Sequence, residues 1–240
     1  ATVGDVLASH RGRRHRVETL NRVEEVIRET RVRRKVEEED LILWKWKTGF
    51  KHNFSSNETW KMLRVEKPIC RWAKGIWFSE ATPKFSFITW LAIHDRLTTG
   101  ARMRSWNTQV DTTCKFCAEP VETRNHLFFQ CPYSTQVWEK LMKGLLQGHY
   151  TSSWDHIVTL LTGSSLGRKH LLLLRYTFQI TVHTIWRERN NRRHGEENPI
   201  TPLAIGNNID KNVRNRITLL QKQGNPKYDD LFVFWLSTRF

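Results

Sequence analysis

The chain has 240 residues, 39% of them hydrophobic, which is enough for one sizeable core or for one domain with helical flanks. It carries 39 lysines and arginines against 24 acidic residues, a formal net charge of +15. Such an excess attracts polyanions, and nucleic acid is the commonest large one. No run of 18 apolar residues is present, which excludes a membrane-spanning helix.

The N-terminal residues bear on the cellular compartment in which we expect the protein. Arginines come early and no apolar core follows them, so we expect no signal peptide. We therefore expect an intracellular protein, with the nucleus among its compartments, and reduced cysteines. Because the sequence begins with Ala1 instead of Met, it is compatible with a piece of a longer protein.

Helical periodicity dominates the first half of the chain. Apolar residues at helical spacing predict an amphipathic helix over about residues 15–34, and alternation over 40–47 predicts a short strand. Ser55 and Glu58 form the pattern of a capping box, which predicts that a helix starts there. A short helix is expected over 72–78. The next one starts at Thr82-Pro83 and is apolar on nearly every face, so we predict that it is the buried centre of the domain.

The second half continues in the same way. We predict a short helix over 101–106, a helix from Pro132, one over 154–161, a long one from Leu171 that ends before Gly195, and a last one over 209–220. The sequence thus predicts a mainly α fold. We expect residues 54–147 to form a small helical domain with an inserted Cys/Cys/His/Cys knuckle. A charged helix and linker (1–53) and a basic helical extension (148–240) flank it.

Three of the four cysteines lie close together in the sequence with one histidine. The pattern is CxxC, eight residues, His, four residues, Cys, formed by Cys114, Cys117, His126 and Cys131. Three thiolates and one imidazole suit tetrahedral Zn²⁺, and four protein ligands leave no open position for water, so a structural site is favoured. The alternative, a redox pair, requires CxxC at the start of a helix after a strand, whereas Pro120 follows soon after. The fourth cysteine, Cys70, is predicted to be a buried structural thiol.

The residues around these ligands carry a family resemblance. The run from Glu122 to Pro132 (ETRNHLFFQCP), followed by Val137-Trp138, closely resembles the reverse-transcriptase zinc-binding domain of plant non-LTR (LINE-type) retrotransposons. The upstream run from Pro83 to Trp106 resembles it too, so the resemblance covers about residues 54–146. It implies that Cys114, Cys117, His126 and Cys131 hold zinc, and that the module assists an upstream polymerase in handling its nucleic acid.

We expect no catalytic activity from this chain. A reverse transcriptase needs an aromatic-x-Asp-Asp turn and a further aspartate to hold two metal ions. In Tyr228-Asp229-Asp230 the tyrosine adjoins the first aspartate, so the spacing is wrong. The acidic residues of the last hundred positions fall on helical patterns, which gives no sign of an RNase H domain.

Basic residues near the knuckle and at the end of the long helix are candidate contacts to RNA or single-stranded DNA: Arg187, Arg189, Arg192, Arg193, Lys115 and Arg124. The arginines can equally complement the C-terminal end of a helix. The cations beside the knuckle can simply offset the −1 charge of a three-thiolate zinc site. Three hypotheses remain open: a nucleic-acid-binding accessory module, a module that docks to a reverse transcriptase domain, and a non-functional retroelement remnant.

Overall fold

The computed structural model describes residues 2–34, 41–68, 70–195 and 198–239, and it divides into two compact units, residues 1–68 and 69–240. The predicted mainly α class is confirmed, since two three-residue strands are the only sheet within the described ranges. No helix of those residues is long and apolar enough to cross a membrane. The unit boundary differs from the boundaries of the three segments predicted from the sequence.

Within its described residues, the first unit contains three helices and one hairpin: α1 (Val3–Ser9), α2 (Glu18–Arg33), β1 (Trp44–Trp46), β2 (Gly49–Lys51) and α3 (Ser56–Leu63). The strands pair antiparallel with Trp44 opposite Lys51, and the sequence did not predict β2. Asp40, the start of the predicted strand, lies outside the described residues. Only half of the capping box forms. Ser55 accepts the backbone N–H of Glu58 at 3.3 Å, but the Glu58 carboxylate binds Lys51 instead of returning to the helix start.

The second unit contains eight α-helices within its described residues: α4 (Ala73–Ile76), α5 (Pro83–Ile93), α6 (Gly100–Arg104), α7 (Pro132–Leu146), α8 (Trp154–Thr162), α9 (Arg168–Arg193), α10 (Pro202–Gln221) and α11 (Leu231–Ser237). A π-helical turn, His126–Gln130, precedes α7, and two 3₁₀ turns, Gln147–His149 and Pro226–Tyr228, lie in the connections. The predicted helices are present, most of them to within a few residues, and α10 begins at Pro202, seven residues before the predicted start. The seven-residue α11 was not predicted, because two turns show too little periodicity.

The buried centre of this unit is α9, and the prediction that α5 would occupy it was wrong. Helices α5, α7, α8 and α10 all pack against α9, whose 26 residues are long enough to contact helices on several sides. On α5, the residues Phe85, Ser86, Thr89 and Ala92 are buried, whereas Phe87 is 51% exposed. An apolar sequence on every face therefore did not place α5 inside, because its Phe87 side remains open to solvent.

Candidate metal centre

Four side chains from two separate segments converge on one point in the second unit. The ligand atoms of Cys114, Cys117, His126 and Cys131 all lie within 4.8 Å of one another. The Cys114 and Cys131 sulfurs are 4.0 Å apart, and the Cys117 sulfur is 3.2 Å from Nε2 of His126. Cys114 and Cys131 are buried, while Cys117 is accessible to solvent. The cage is therefore closed on the protein side and open at its outer edge.

A tight loop presents the first two cysteines. The backbone N–H of Cys114 donates to the Glu119 carbonyl at 2.9 Å, and the N–H of Ala118 donates back to the Cys114 carbonyl at 3.0 Å. Ala118 takes the left-handed conformation (φ 60°) that lets the chain reverse directly after the CxxC turn. The backbone N–H groups of Phe116 and Cys117 point at the Cys114 sulfur. The loop thus supplies N–H donors to a thiolate as well as two sulfurs to a metal.

The second pair of ligands brackets the π-helical turn. The N–H of Cys131 donates to the His126 carbonyl at 2.7 Å, an i→i+5 bond that places the two residues one turn apart. The spacing of four residues between His126 and Cys131 therefore corresponds to one wide turn and not to an α-helical one. Cys131 is also the N-cap of α7, with Pro132 in the first helical position, so its sulfur lies beside free N–H groups of that helix.

Aromatic packing holds the π-helical turn in place. Its inner residues Leu127, Phe128 and Phe129 are all completely buried. The Phe129 ring stacks on Phe178 of α9 with centroids 5.6 Å apart, and Phe128 lies 5.7 Å from Trp154 of α8. The main core of the unit therefore positions His126 and Cys131 directly, because the residues between them are core residues.

Without a bound cation, ionisation of one cysteine thiol opposes ionisation of the next. The hydrogen bond from Cys131 and the N–H groups of the CxxC turn lower the pKa of Cys114 to about 5. The same contact with Cys114, together with burial, raises the pKa of Cys131 far above its usual range. One thiolate is favoured and a second is opposed, and a divalent cation among the sulfurs removes that opposition.

The donor set fits zinc in composition and dimensions. Zn–S bonds of about 2.3 Å and Zn–N bonds of about 2.0 Å in a tetrahedron place the ligand atoms roughly 3.5–3.8 Å apart. The distances of 4.0 and 3.2 Å bracket that range. Four protein ligands fill a tetrahedral shell, so the cage suits a structural ion and offers no position to a reacting water.

The C-terminal end of α9 packs against the metal-binding segment. The sequence predicted nucleic-acid contacts at this end of the helix. The Arg192 guanidinium lies 4.8 Å from the ring of Phe116 in the CxxC turn and 4.7 Å from the ring of Tyr133, next to Cys131. Those two rings stack on each other at 4.3 Å. Arg193 donates to the backbone carbonyl of Asp111 at 3.2 Å. These two arginines therefore tie both halves of the metal cage to α9.

Arg189 is buried, and this corrects its assignment to a nucleic-acid surface. Its side chain is 1% exposed and forms an ion pair with the fully buried Glu122 at 2.6 Å, with a second nitrogen 2.9 Å from the same carboxylate. Glu122 also accepts the backbone N–H of Gly100 at 3.1 Å. No phosphate reaches this guanidinium without displacing Glu122. No local pattern in the sequence indicates this partner, which lies 67 positions away.

The two cations closest to the ligands in sequence also have internal partners. Lys115 forms an ion pair with Asp111. Arg124 donates to the Ile93 carbonyl at 3.3 Å at the end of α5, and its guanidinium lies 4.6 Å above the Trp154 ring. Neither cation touches a ligand side chain in a hydrogen bond or ion pair within the described residues. Arg124 connects the knuckle segment to α5 and α8.

Arg187 is the one of the six predicted contacts that is exposed and bears no internal ion pair among the described residues. It lies one turn after His183 on α9, and Lys84 of α5 faces the same histidine. Burial first, and then the charges of Lys84 and Arg187, lower the pKa of His183. Lys84 and Phe87 are three residues apart and share a face of α5. We call Lys84, His183 and Arg187 the α5–α9 patch.

Residues 228–230, near the C-terminus, have partners within the second unit. Tyr228 donates its hydroxyl to Glu80 at 2.5 Å, and Asp230 pairs with Lys169 at the start of α9. The Asp229 carbonyl accepts from Gln221 at 2.7 Å. Cys70 is exposed, so the prediction of a buried thiol was wrong.

Gly100 marks the closest approach between α6 and the knuckle. A Cβ at this position would lie 2.2 Å from the Thr112 carbonyl oxygen, in the segment that leads into the CxxC turn. We expect Gly100→Ala to destabilise the second unit by about 1–3 kcal/mol, as overpacking does. Gly148→Ala is the control, since nothing lies within 4 Å of its added carbon. Equal urea midpoints for the two variants would contradict the close contact.

The geometry defines a mainly α protein with a Cys₃His metal cage between the start of α7 and the end of α9. Residues 54–138 match the family model described as zinc-binding in reverse transcriptase, and the match includes all four ligands of the cage. Comparison with curated proteins and with solved structures gives no match to this chain. The chain therefore contains a zinc-binding module similar to those of reverse transcriptases.

Proposed function

We propose that this chain is a zinc-stabilised accessory module of a reverse transcriptase of the plant LINE type, and that it binds RNA or single-stranded DNA without catalysing a reaction. The observation that carries the proposal is the four-ligand cage within the segment that matches the reverse-transcriptase zinc-binding family. Zinc held by Cys114, Cys117, His126 and Cys131 would act as a structural ion. It would fix the knuckle against α9.

Charge and exposure support the nucleic-acid part of the proposal. The chain carries a formal charge of +15, and the α5–α9 patch has no carboxylate in an ion pair with Lys84 or Arg187 among the residues described. Phe87, one turn from Lys84, is 51% exposed and stacks with Trp90 at 5.8 Å. Proteins commonly bind unpaired bases and their phosphates through cations that lie beside an exposed aromatic ring.

Replacing Lys84 and Arg187 tests this proposal without disturbing the contacts that Arg192 and Arg193 make with the metal-binding segment. We expect Lys84→Gln with Arg187→Gln to weaken binding of a single-stranded oligonucleotide. The slope of log affinity against log salt should fall by about 0.7 for each phosphate that the variant no longer neutralises. Lys74→Gln with Lys211→Gln is the matched control, because both lysines are exposed and the charge change is identical. Fluorescence anisotropy at several salt concentrations measures affinity and slope.

The contrary outcomes separate the other hypotheses. Unchanged affinity and slope in the patch variant contradict the proposed surface, and binding only to a cognate polymerase domain supports the docking alternative. A folded chain that binds neither nucleic acid nor a polymerase domain supports the third hypothesis, a non-functional remnant. The proposal also expects no template-dependent nucleotide incorporation, so incorporation that Asp229→Ala abolishes would contradict it.

A further inference from the structure

A second cationic site lies at the opposite end of α9 from the knuckle. A cleft of about 450 Å³ opens where α9 begins, beside the 3₁₀ turn Pro226–Tyr228. Four cations line it: Arg168, Lys169, Arg175 and Lys227. Its volume is in the range of sites that enclose a small organic ligand.

The cleft has more positive charge than its own acids neutralise. Glu80 is the one carboxylate in the lining, and it is already engaged by the Tyr228 hydroxyl at 2.5 Å and by Lys227 at 3.1 Å. Burial opposes ionisation of Glu80, yet hydrogen bonds from Ser79, Tyr228 and Lys227 outweigh it and hold its pKa at about 2. Glu80 is therefore charged and accepts hydrogen bonds from Ser79, Tyr228 and Lys227, whereas Arg168 and Arg175 form no ion pair with it among the described residues.

Two arginines are left with unused donors. Arg168 is exposed and forms no ion pair within the described part of the chain. Arg175 donates its Nε to the Leu161 carbonyl at 2.9 Å, and no partner among those residues binds its terminal nitrogens. Arg175 is half-buried, and burial lowers its pKa, while the charge of Glu80 acts in the opposite direction. An anion in the cleft would supply the missing acceptors.

The floor of the cleft is apolar. Phe78, Leu172 and Leu231 line it, and the Arg175 guanidinium lies 6.0 Å from the centre of the Phe78 ring. The first turn of α9 adds backbone N–H groups, since its N-cap Gly167 provides no side chain to satisfy them. Cations at the rim above an apolar floor suit a ligand that has a phosphate at one end and a flat ring at the other.

We propose that this cleft binds a nucleoside phosphate, with the phosphate at Arg168 and Arg175 and the base over Phe78 and Leu172. The phosphate belongs either to a free nucleotide or to the 5′ end of a strand. In the second case the inference rests on the proposed nucleic-acid binding and gives that binding a second site.

The experiment uses the zinc-loaded full chain, and adenosine monophosphate and inorganic phosphate are titrated by calorimetry. We expect the nucleotide to bind about tenfold more tightly than inorganic phosphate, because its base covers the apolar floor. Arg168→Glu should weaken nucleotide binding about tenfold or more through loss of a charge-assisted hydrogen bond. An acidic residue in the first turn suits the helix dipole, so this variant should remain folded. Lys211→Glu, an exposed charge reversal on α10, should change binding less than about twofold.

Two strands of one sequence, with a 5′-phosphate and with a 5′-hydroxyl, identify the source of the phosphate. Tighter binding of the phosphorylated strand than of the hydroxyl strand assigns the cleft to a strand end, and equal binding of the two strands assigns it to free nucleotides. Absence of nucleotide binding, or equal binding by Arg168→Glu, overturns the inference. Tighter binding of hexaglutamate than of the nucleotide overturns it in favour of an acidic peptide. Loss of hydroxyl-strand binding in the patch variant with nucleotide binding intact shows that the two sites are separate.

Discussion

Removal of zinc is expected to lower the thermal stability of the second unit and to disorder the CxxC loop from Cys114 to Pro120 first. Structural zinc contributes about 10–16 kcal/mol of apparent binding free energy in small fingers, and residues 117–120 of this loop are exposed to solvent. The π-helical turn should persist longer, because Phe128 and Phe129 are buried in the main core. Hydrogen exchange before and after chelation measures the order of these events.

The cysteines provide a matched test of the ligand set. Cys117→Ser with Cys131→Ser should reduce bound zinc from one ion per chain to none, since two oxygens replace two of the three thiolates. Cys70→Ser is the control, because Cys70 is exposed and its sulfur is not in the cage. It should retain one zinc per chain and the melting temperature of the original protein. Full zinc retention by the double variant would falsify the assignment.

The second large effect is expected at the buried ion pair between Arg189 and Glu122. Arg189→Met should destabilise the second unit by about 3–5 kcal/mol, because it leaves the Glu122 carboxylate buried without its cation. Arg187→Met, two residues away on the same helix but exposed, should change stability by less than about 0.5 kcal/mol. Urea unfolding of the zinc-loaded proteins measures both values.

A compensating variant separates loss of charge balance from loss of packing. Replacing both partners, as Arg189→Met with Glu122→Leu, should recover much of the stability that Arg189→Met alone loses, since neither buried charge remains. Gly100 loses one hydrogen-bond acceptor in this variant, so recovery should be incomplete. Equal stability of the two single variants, Arg187→Met and Arg189→Met, would contradict the buried ion pair.

The structure changes how the basic cluster at the end of α9 is interpreted. Three of its four arginines bind other parts of the protein: Arg189 neutralises Glu122, Arg192 lies on two aromatic rings, and Arg193 donates to the Asp111 carbonyl. Replacing all four at once would destabilise the fold, and a loss of nucleic-acid binding would then be uninformative. The separate replacement of Lys84 and Arg187 avoids this difficulty.

Local patterns in the chain were sufficient to predict the Cys/Cys/His/Cys cluster and most of the helices. Spacing alone selected Cys114, Cys117, His126 and Cys131, because close ligand pairs in sequence are held close by local turns. Apolar periodicity located α7, α8, α9 and α10, and the Thr82-Pro83 start of α5 was found where predicted. These features depend on interactions between near neighbours in the chain, which a sequence displays directly.

The positions of the charges and of the exposed faces became clear only in the folded chain. An arginine has the same charge whether it is buried or exposed. Glu122 is 67 positions from Arg189, so no local pattern in the sequence indicated that they pair. The uniformly apolar α5 was predicted at the centre, yet its Phe87 side is open because α9 covers only the opposite side. Burial and pairing depend on which distant segments meet, and that is a property of the packed chain.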